Sequence, residues 1–170
     1  FSLVIPCFNE EKNIKNLFEE IKNSCFSLSY EVIIVDDCST DGSLKTIAKE
    51  NKFENLRILK NKTNKGQSFS IYQGIKNSKN DIIVTIDCDG QNNPSDIPKL
   101  LNVYNDDDEL FLVGGIRNKR KDSIVKIISS KFANYIRKLI LKDNCIDTGC
   151  SLKVFDKNCF LKYPYFDGIH

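Results

Sequence analysis

Apolar residues gather in short unbroken runs, each closing on polar or acidic side chains: SLVIP (2–6), EVIIVDD (31–37), LRILK (56–60) and DIIVTID (81–87). Val/Ile-rich runs of this length predict strands, and their lack of alternation predicts burial on both sides, as in a parallel sheet. Between them the period lengthens. Ile14, Leu17, Phe18, Ile21 and Cys25 share one face of a helix, for which Asn9 is the expected N-cap and Glu10 and Glu11 the first turn. STDGS (39–43) opens a second helix to about Asn51, the loop NKTNKG (61–66) a third from Gln67 to Asn77, and Pro94 a fourth to Tyr104. ELFLVGG (109–115) and SLKVF (151–155) are the expected last strands, with a long helix over 123–141 between them and a short helix and aromatic tail after. The alternation predicts an α/β class, with a mostly parallel mixed sheet flanked by helices on both faces, as one domain over 1–170.

Composition narrows the function classes. No apolar run approaches the roughly 20 residues needed to span a bilayer, and the opening FSLVIPCFNE lacks the basic flank of a signal peptide. The seven cysteines form no CxxC or zinc-finger spacing and are expected as reduced, buried thiols in a cytosolic setting. The single histidine, His170, excludes a His-based metal cage or a Ser-His-Asp triad within this chain. No Met occurs anywhere, so the chain is expected to be a segment of something longer. Charge is uneven. Residues 117–142 carry nine basic side chains against Asp122 alone, a local +8, which leaves −6 elsewhere in a chain of net +2. Such a segment suits an anionic partner or a solvated helix face.

The candidate chemistry sits at strand ends, where open α/β sheets bind ligands. Pro6-Cys7-Phe8-Asn9-Glu10 follows the first strand, Asp36-Asp37 the second, Asp87-Cys88-Asp89 the fourth and Arg117 the fifth. Carboxylates crowded on one edge repel unless a cation or proton lies between them. An all-oxygen set selects a hard ion, Mg²⁺ or Mn²⁺, shared with substrate phosphates; Gln91 offers a neutral oxygen nearby. Each piece has a plainer use. Asp41 and Asp96 are assigned to helix capping, Pro94 to a helix start and Gly66 to a turn.

Taken in order, LVIPCFNEEKNI, EVIIVDDCSTDGS, NKGQSFSIYQGI and DIIVTIDCDGQNNPSDIPKLL resemble a family 2 glycosyltransferase with the Rossmann-like GT-A fold. GGIRNKR through SSKFANYIRKLIL to DTGCSLKVF resembles its polyprenyl-phosphate branch, the dolichol-phosphate mannose synthase-like enzymes. The resemblance implies that Pro6, Asn9 and Glu10 line a nucleotide pocket and that Asp36 and Asp37 recognise the base or the ribose. Asp87 and Asp89 match the DxD motif, with Asp89 and Gln91 as the foremost ligands of Mg²⁺ or Mn²⁺. Arg117 matches an arginine on the donor diphosphate. Lys131 stands where the branch carries Arg, keeping the charge but losing the bidentate fork. Asp147, in DTG, matches an aspartate near the acceptor, proposed as base; capping the turn at Gly149 is its plainer use.

The implied reaction is an inverting transfer from a UDP- or GDP-linked sugar to a polyprenyl phosphate, at the cytoplasmic face of a membrane, with no nucleic acid involved. The basic 117–142 segment is then expected to face anionic lipid, and FDGIH to precede membrane-associating helices. Three other readings stand beside it: a family 2 transferase with a saccharide acceptor, a receiver-type signalling module on Asp36, Asp37 and Asp87, and a DxDG phosphatase on Asp87. The receiver reading lacks a hydroxyl after the fifth strand. The phosphatase reading places its motif 86 residues into the chain and follows it with Gln91.

Overall fold

The computed structural model describes residues 1–107, 109–116, 147 and 149–167. Among these, six strands form one sheet: β1 Ser2–Cys7, β2 Glu31–Asp36, β3 Leu56–Lys60, β4 Ile82–Thr85, β5 Leu112–Gly114 and β6 Lys153–Asp156, in the order β3-β2-β1-β4-β6-β5. β3, β2, β1 and β4 run parallel, whereas β6 lies antiparallel to both β4 and β5. The mixed, mostly parallel sheet follows the sequence expectation; the direction of β6 is new. β4 and β5 are shorter than the runs 81–87 and 109–115, because their flanking residues leave the ladder for the loops at either edge.

Helices cover both faces. α1 Ile14–Ser24, α2 Ser43–Glu50 and α4 Ile97–Asn105 share a core with Leu3, Ile5, Val32, Ile34, Val84 and Val154. On the other face, α3 Gln67–Lys76 and α5 Lys157–Leu161 meet Val4, Ile83 and Phe155. Neighbouring residues of β1 thus serve opposite cores, the period-2 consequence of a strand buried on both sides. The helix expected over 123–141 lies outside the described residues.

The start of α1 differs from expectation. The helix begins at Ile14 with Asn13 in the cap position, and no acid stands in its first turn. Asn9 has φ +58°, a left-handed conformation that Asn adopts more readily than most residues. That turn sends its side chain across to the 39–43 loop instead of down the helix. Asp96 likewise does not cap α4 with its side chain; it pairs with Lys99 at 2.7 Å, while Asn93 accepts from the Ser95 amide.

Gly74 shows how closely α3 sits on the sheet. A Cβ there would stand 2.4 Å from Val4 Cγ1 and 3.2 Å from Val35 Cγ2. Alanine is the better helix former by about 1 kcal/mol, but overpacking against two stiff β-branched side chains costs about 1–3 kcal/mol. At 2.4 Å the cost lies at the upper end of that range, so Gly74→Ala is expected to lower stability. Urea melts of the two proteins decide it; a raised midpoint would show that α3 can lift off without penalty.

Candidate functional site

Strand order reverses between β1 and β4, the switch point at which open α/β sheets leave a crevice beyond their carboxyl ends. A cavity of about 360 Å³ lies there, lined among others by Pro6, Glu10, Asp37, Gln67, Asp87 and Asp89. Five of the residues singled out in the sequence therefore meet around one space. Asn9, Asp36 and Gln91 stand outside its lining.

Their placement has local causes. Asn9 Oδ1 accepts from the Thr40 amide at 2.8 Å, the Thr40 hydroxyl and the Asp41 amide, while the Asn9 and Glu10 amides donate to Ser39 and Ser43 Oγ. Asn9 thus works as a stitch between the loops after β1 and β2. Asp41 accepts from the Ser43 amide at 2.9 Å and the Glu11 amide at 3.2 Å, capping α2 and joining the same seam. Its carboxyl is held below its usual range: the slight burial pushes up, and the Ser43 hydroxyl and the Ser43 and Glu11 amides outweigh it.

Asp36 and Asp37 are not left repelling each other. Asp36 is buried and accepts from the Ser39 amide at 3.3 Å. Asp37 accepts from Asn61 Nδ2 at 2.7 Å, the Lys65 amide at 2.8 Å and the Gly66 amide at 2.7 Å. Fixed N–H dipoles stabilise a carboxylate much as a cation does. The premise that all the edge carboxylates need a shared ion is corrected here: this pair is satisfied by the chain itself. Gly66, with φ +87°, is more than a turn, because it aims its amide at Asp37 from the start of α3.

The DxD pair is held more lightly. Asp87 Oδ1 accepts from Gln67 Nε2 at 2.6 Å, and Asp89 Oδ1 from the Gln91 amide at 2.9 Å, in a turn completed by Gly90 at φ +73°. Both carboxylates are half-buried, and the Gln91 side chain is exposed. Between them Cys88 is buried and its thiol is pushed far up, first by its hydrogen bond with Cys7, then by burial and by the neighbouring charges of Glu10 and Asp89. It stays protonated and is no nucleophile at neutral pH. Cys7, Cys25 and Cys150 are also buried, whereas Cys38 and Cys159 are part-exposed.

Asp147 reaches the same edge from the opposite direction. Lys153 at the start of antiparallel β6 pairs with Thr85 at the end of β4, so the residues before it lie beyond the carboxyl end of the sheet. Asp147 is buried, 6% exposed. Arg117 and Lys131 lie outside the described residues. Gln67, Asn61 and Ser43 escaped the sequence reading. NKGQ and STDGS marked the loops, but nothing local said which carboxylates they would face.

A family model, Glycosyl transferase family 2, matches residues 2–163. The chain belongs to this family. Solved structures agree on the fold. Glucosyl-3-phosphoglycerate synthase from Mycobacterium tuberculosis, with Mn²⁺ and UDP-glucose, superposes at TM-score 0.78 and 17% identity over 99% of this chain and 60% of its own. A mannosyltransferase from Pyrobaculum calidifontis, with GDP-mannose and Mn²⁺, gives 0.67 and 19% over 95% and 45%. A mycobacterial protein gives 0.78 and 18% over 99% and 56%. The transferase chain thus spans about half the length of these relatives, from 45% to 60%, and the GT-A-like arrangement is what it shares with them.

Proposed function

We propose that this family 2 transferase moves a sugar, with inversion, from a UDP- or GDP-linked donor to a polyprenyl phosphate, with Mg²⁺ or Mn²⁺ bound at the DxD pair. The observation that carries the reading is the meeting of Pro6, Glu10, Asp37, Asp87 and Asp89 around one cavity at the switch point. Among the described residues no three His, Cys, Asp or Glu side chains form a metal cage. A hard ion is therefore offered, among the described residues, one or two carboxylates, with Gln91 close by. That donor set fits an ion which keeps waters and takes the rest of its shell from substrate phosphates. When bound, the ion supplies charge neutralisation to the departing diphosphate, a Lewis-acid effect worth several kcal/mol.

The chain's own residues hold and orient. Asp37 fixes the 61–66 loop that walls the cavity, and Gln67 fixes the rotamer of Asp87. Arg117 and Lys131 share the diphosphate's charge in this proposal. A phosphate monoester acceptor, with a second pKa of about 6, attacks without needing its proton removed, and Asp147 then positions rather than abstracts.

The lipid acceptor draws support from a second, mostly apolar cavity of about 420 Å³, lined among others by Thr85, Ser151, Phe111, Leu112, Phe160 and Phe166. Phe111 and Leu112 are 67% and 54% exposed among the described residues, an apolar surface that solvent disfavours and an isoprenoid suits. The basic 117–142 segment would face anionic headgroups at the cytoplasmic side of a membrane. Among the described residues no helix is long and apolar enough to cross one.

An acceptor panel tests this. With Mn²⁺ and either UDP-glucose or GDP-mannose, farnesyl phosphate is expected to be glycosylated, and farnesol, a disaccharide and phosphoglyceric acid are not. Product on the disaccharide would move the assignment to the saccharide branch, and product on phosphoglyceric acid would remove the lipid.

A further inference from the structure

We infer that Asn92 is a positioning residue that clamps the donor-side DxD loop to the acceptor-side Asp147 segment, so that the two halves of the site keep one geometry. The inference rests on the transferase reading for its catalytic consequence, but the clamp itself is visible in the fold.

Asn92 lies three residues beyond Asp89, and its side chain is turned inward and buried. Its Nδ2 donates to Ser151 Oγ at 2.6 Å, and its Oδ1 accepts from Cys150 Sγ at 3.2 Å. One amide therefore spends both ends on a segment 58 and 59 residues away. Thr85 Oγ1, at the end of β4, donates to the Ser151 carbonyl at 2.7 Å. Cys150 also packs on β5's exit: a Cβ at Gly115 would stand 3.2 Å from its sulfur, and the Gly115 amide donates to the Leu152 carbonyl at 2.9 Å. The knot thus joins β4, the DxD loop, the residues leading from β5 toward Arg117, and the Asp147 segment.

Elsewhere at this edge side chains also stitch neighbouring loops: Asn9 holds the 40–41 amides and Asp37 the 65–66 amides. Here an antiparallel strand must bring Asp147 back against a parallel neighbour, and no ladder extends beyond Thr85 and Lys153. Buried amide ends left unpaired are costly, so the two segments settle together or not at all. Misplacing reacting groups by about 1 Å lowers rate on the order of 10²-fold. Donor affinity, set across the cavity by Glu10, Asp37 and the DxD pair, need not follow.

Two readouts test the clamp. In hydrogen exchange on the substrate-free protein, Asn92→Leu and Ser151→Ala are each expected to speed exchange at 150–152 and at 87–93 together, with β1–β3 unchanged. In turnover with Mn²⁺, UDP-glucose or GDP-mannose, and farnesyl phosphate, kcat is expected to fall about 10²-fold with donor Kd within about twofold. The double variant should be little worse than either single one. Cys150→Ser, which keeps the donor to Asn92, should retain near-normal kcat. Exchange confined to the mutated loop, or kcat and donor affinity falling in parallel, would overturn the inference. A wild type that binds neither nucleotide with Mn²⁺ sinks the transferase reading instead, and the exchange result still decides the clamp.

Discussion

Asp89→Ala is expected to abolish the stabilisation that UDP- or GDP-sugar confers in the presence of Mn²⁺, while leaving the melting temperature of the ligand-free protein nearly unchanged. The second half follows from how little Asp89 does for the fold. It is half-buried, and its recorded bond is to the Gln91 amide two residues on, an interaction worth about 1 kcal/mol. The first half follows from the donor set. With no cage of three or more acidic, Cys or His side chains among the described residues, losing one carboxylate removes a large share of the protein's hold on a divalent ion. A donor present at 100 times its Kd stabilises the wild type by about 2.7 kcal/mol, and that increment should vanish in the variant. Turnover should fall about 10³-fold, which corresponds to roughly 4 kcal/mol of lost transition-state stabilisation. Differential scanning fluorimetry with and without EDTA reads the binding half independently of any acceptor. If the variant shifted like the wild type, the ion would have to be held elsewhere.

Glu31→Ala carries the largest expected cost in stability. Glu31 opens β2 at the edge opposite the cavity and is buried. Its Oε1 accepts from Ser2 Oγ and from the Lys79 amide, each at 2.6 Å, and its Oε2 lies 3.5 Å from Arg57 Nη1 with no hydrogen-bond partner of its own. Ser2 in turn accepts from the Asn80 amide and side chain. One carboxylate therefore ties the starts of β1, β2 and β3 to the turn that feeds β4. Removing it strands the buried Ser2 hydroxyl and takes the partner from the part-buried Lys79 amide, at about 2–3 kcal/mol in total. Arg57 is 35% exposed on its side chain and can turn to water, which keeps the loss below that of a fully buried pair.

The same group predicts a pH signature. Burial pushes the Glu31 carboxyl up, but the Ser2 hydroxyl, the Lys79 amide and the Arg57 guanidinium together hold it below its ordinary value. A folded-state pKa below the unfolded one gives stability that is complete above the unfolded value of about 4.3 and fades as pH falls through the lower folded value. The stability gap between wild type and Glu31→Gln should therefore be constant from pH 8 to 6 and narrow below pH 4. Urea melts across that range test it, and a gap that widened toward acid would reverse the assignment.

Element types, and the faces they bury, were legible in the linear string. Unbroken Val/Ile runs at 2–6 and 31–37 became doubly buried central strands, and Ile14, Leu17, Phe18 and Ile21 became the inward stripe of α1. Both are consequences of local period, which a linear string carries in full. The polar residues after β1, β2 and β4 also meet on one edge, because a parallel sheet gathers the carboxyl ends of its strands there, while Arg117 lies outside the described residues. The direction of β6, and the groups that answer the edge carboxylates, came from long-range packing. Counting acids suggested mutual repulsion around Asp36 and Asp37; folding supplied amides from 65 and 66, some 28 residues further along, to hold Asp37. Asn9 looked like a helix cap until a left-handed turn aimed it at Thr40, and Asn92 gave no local sign of its bond to Ser151. Hydrogen-bond partners separated by tens of residues are chosen by packing, and no window of sequence contains both of them.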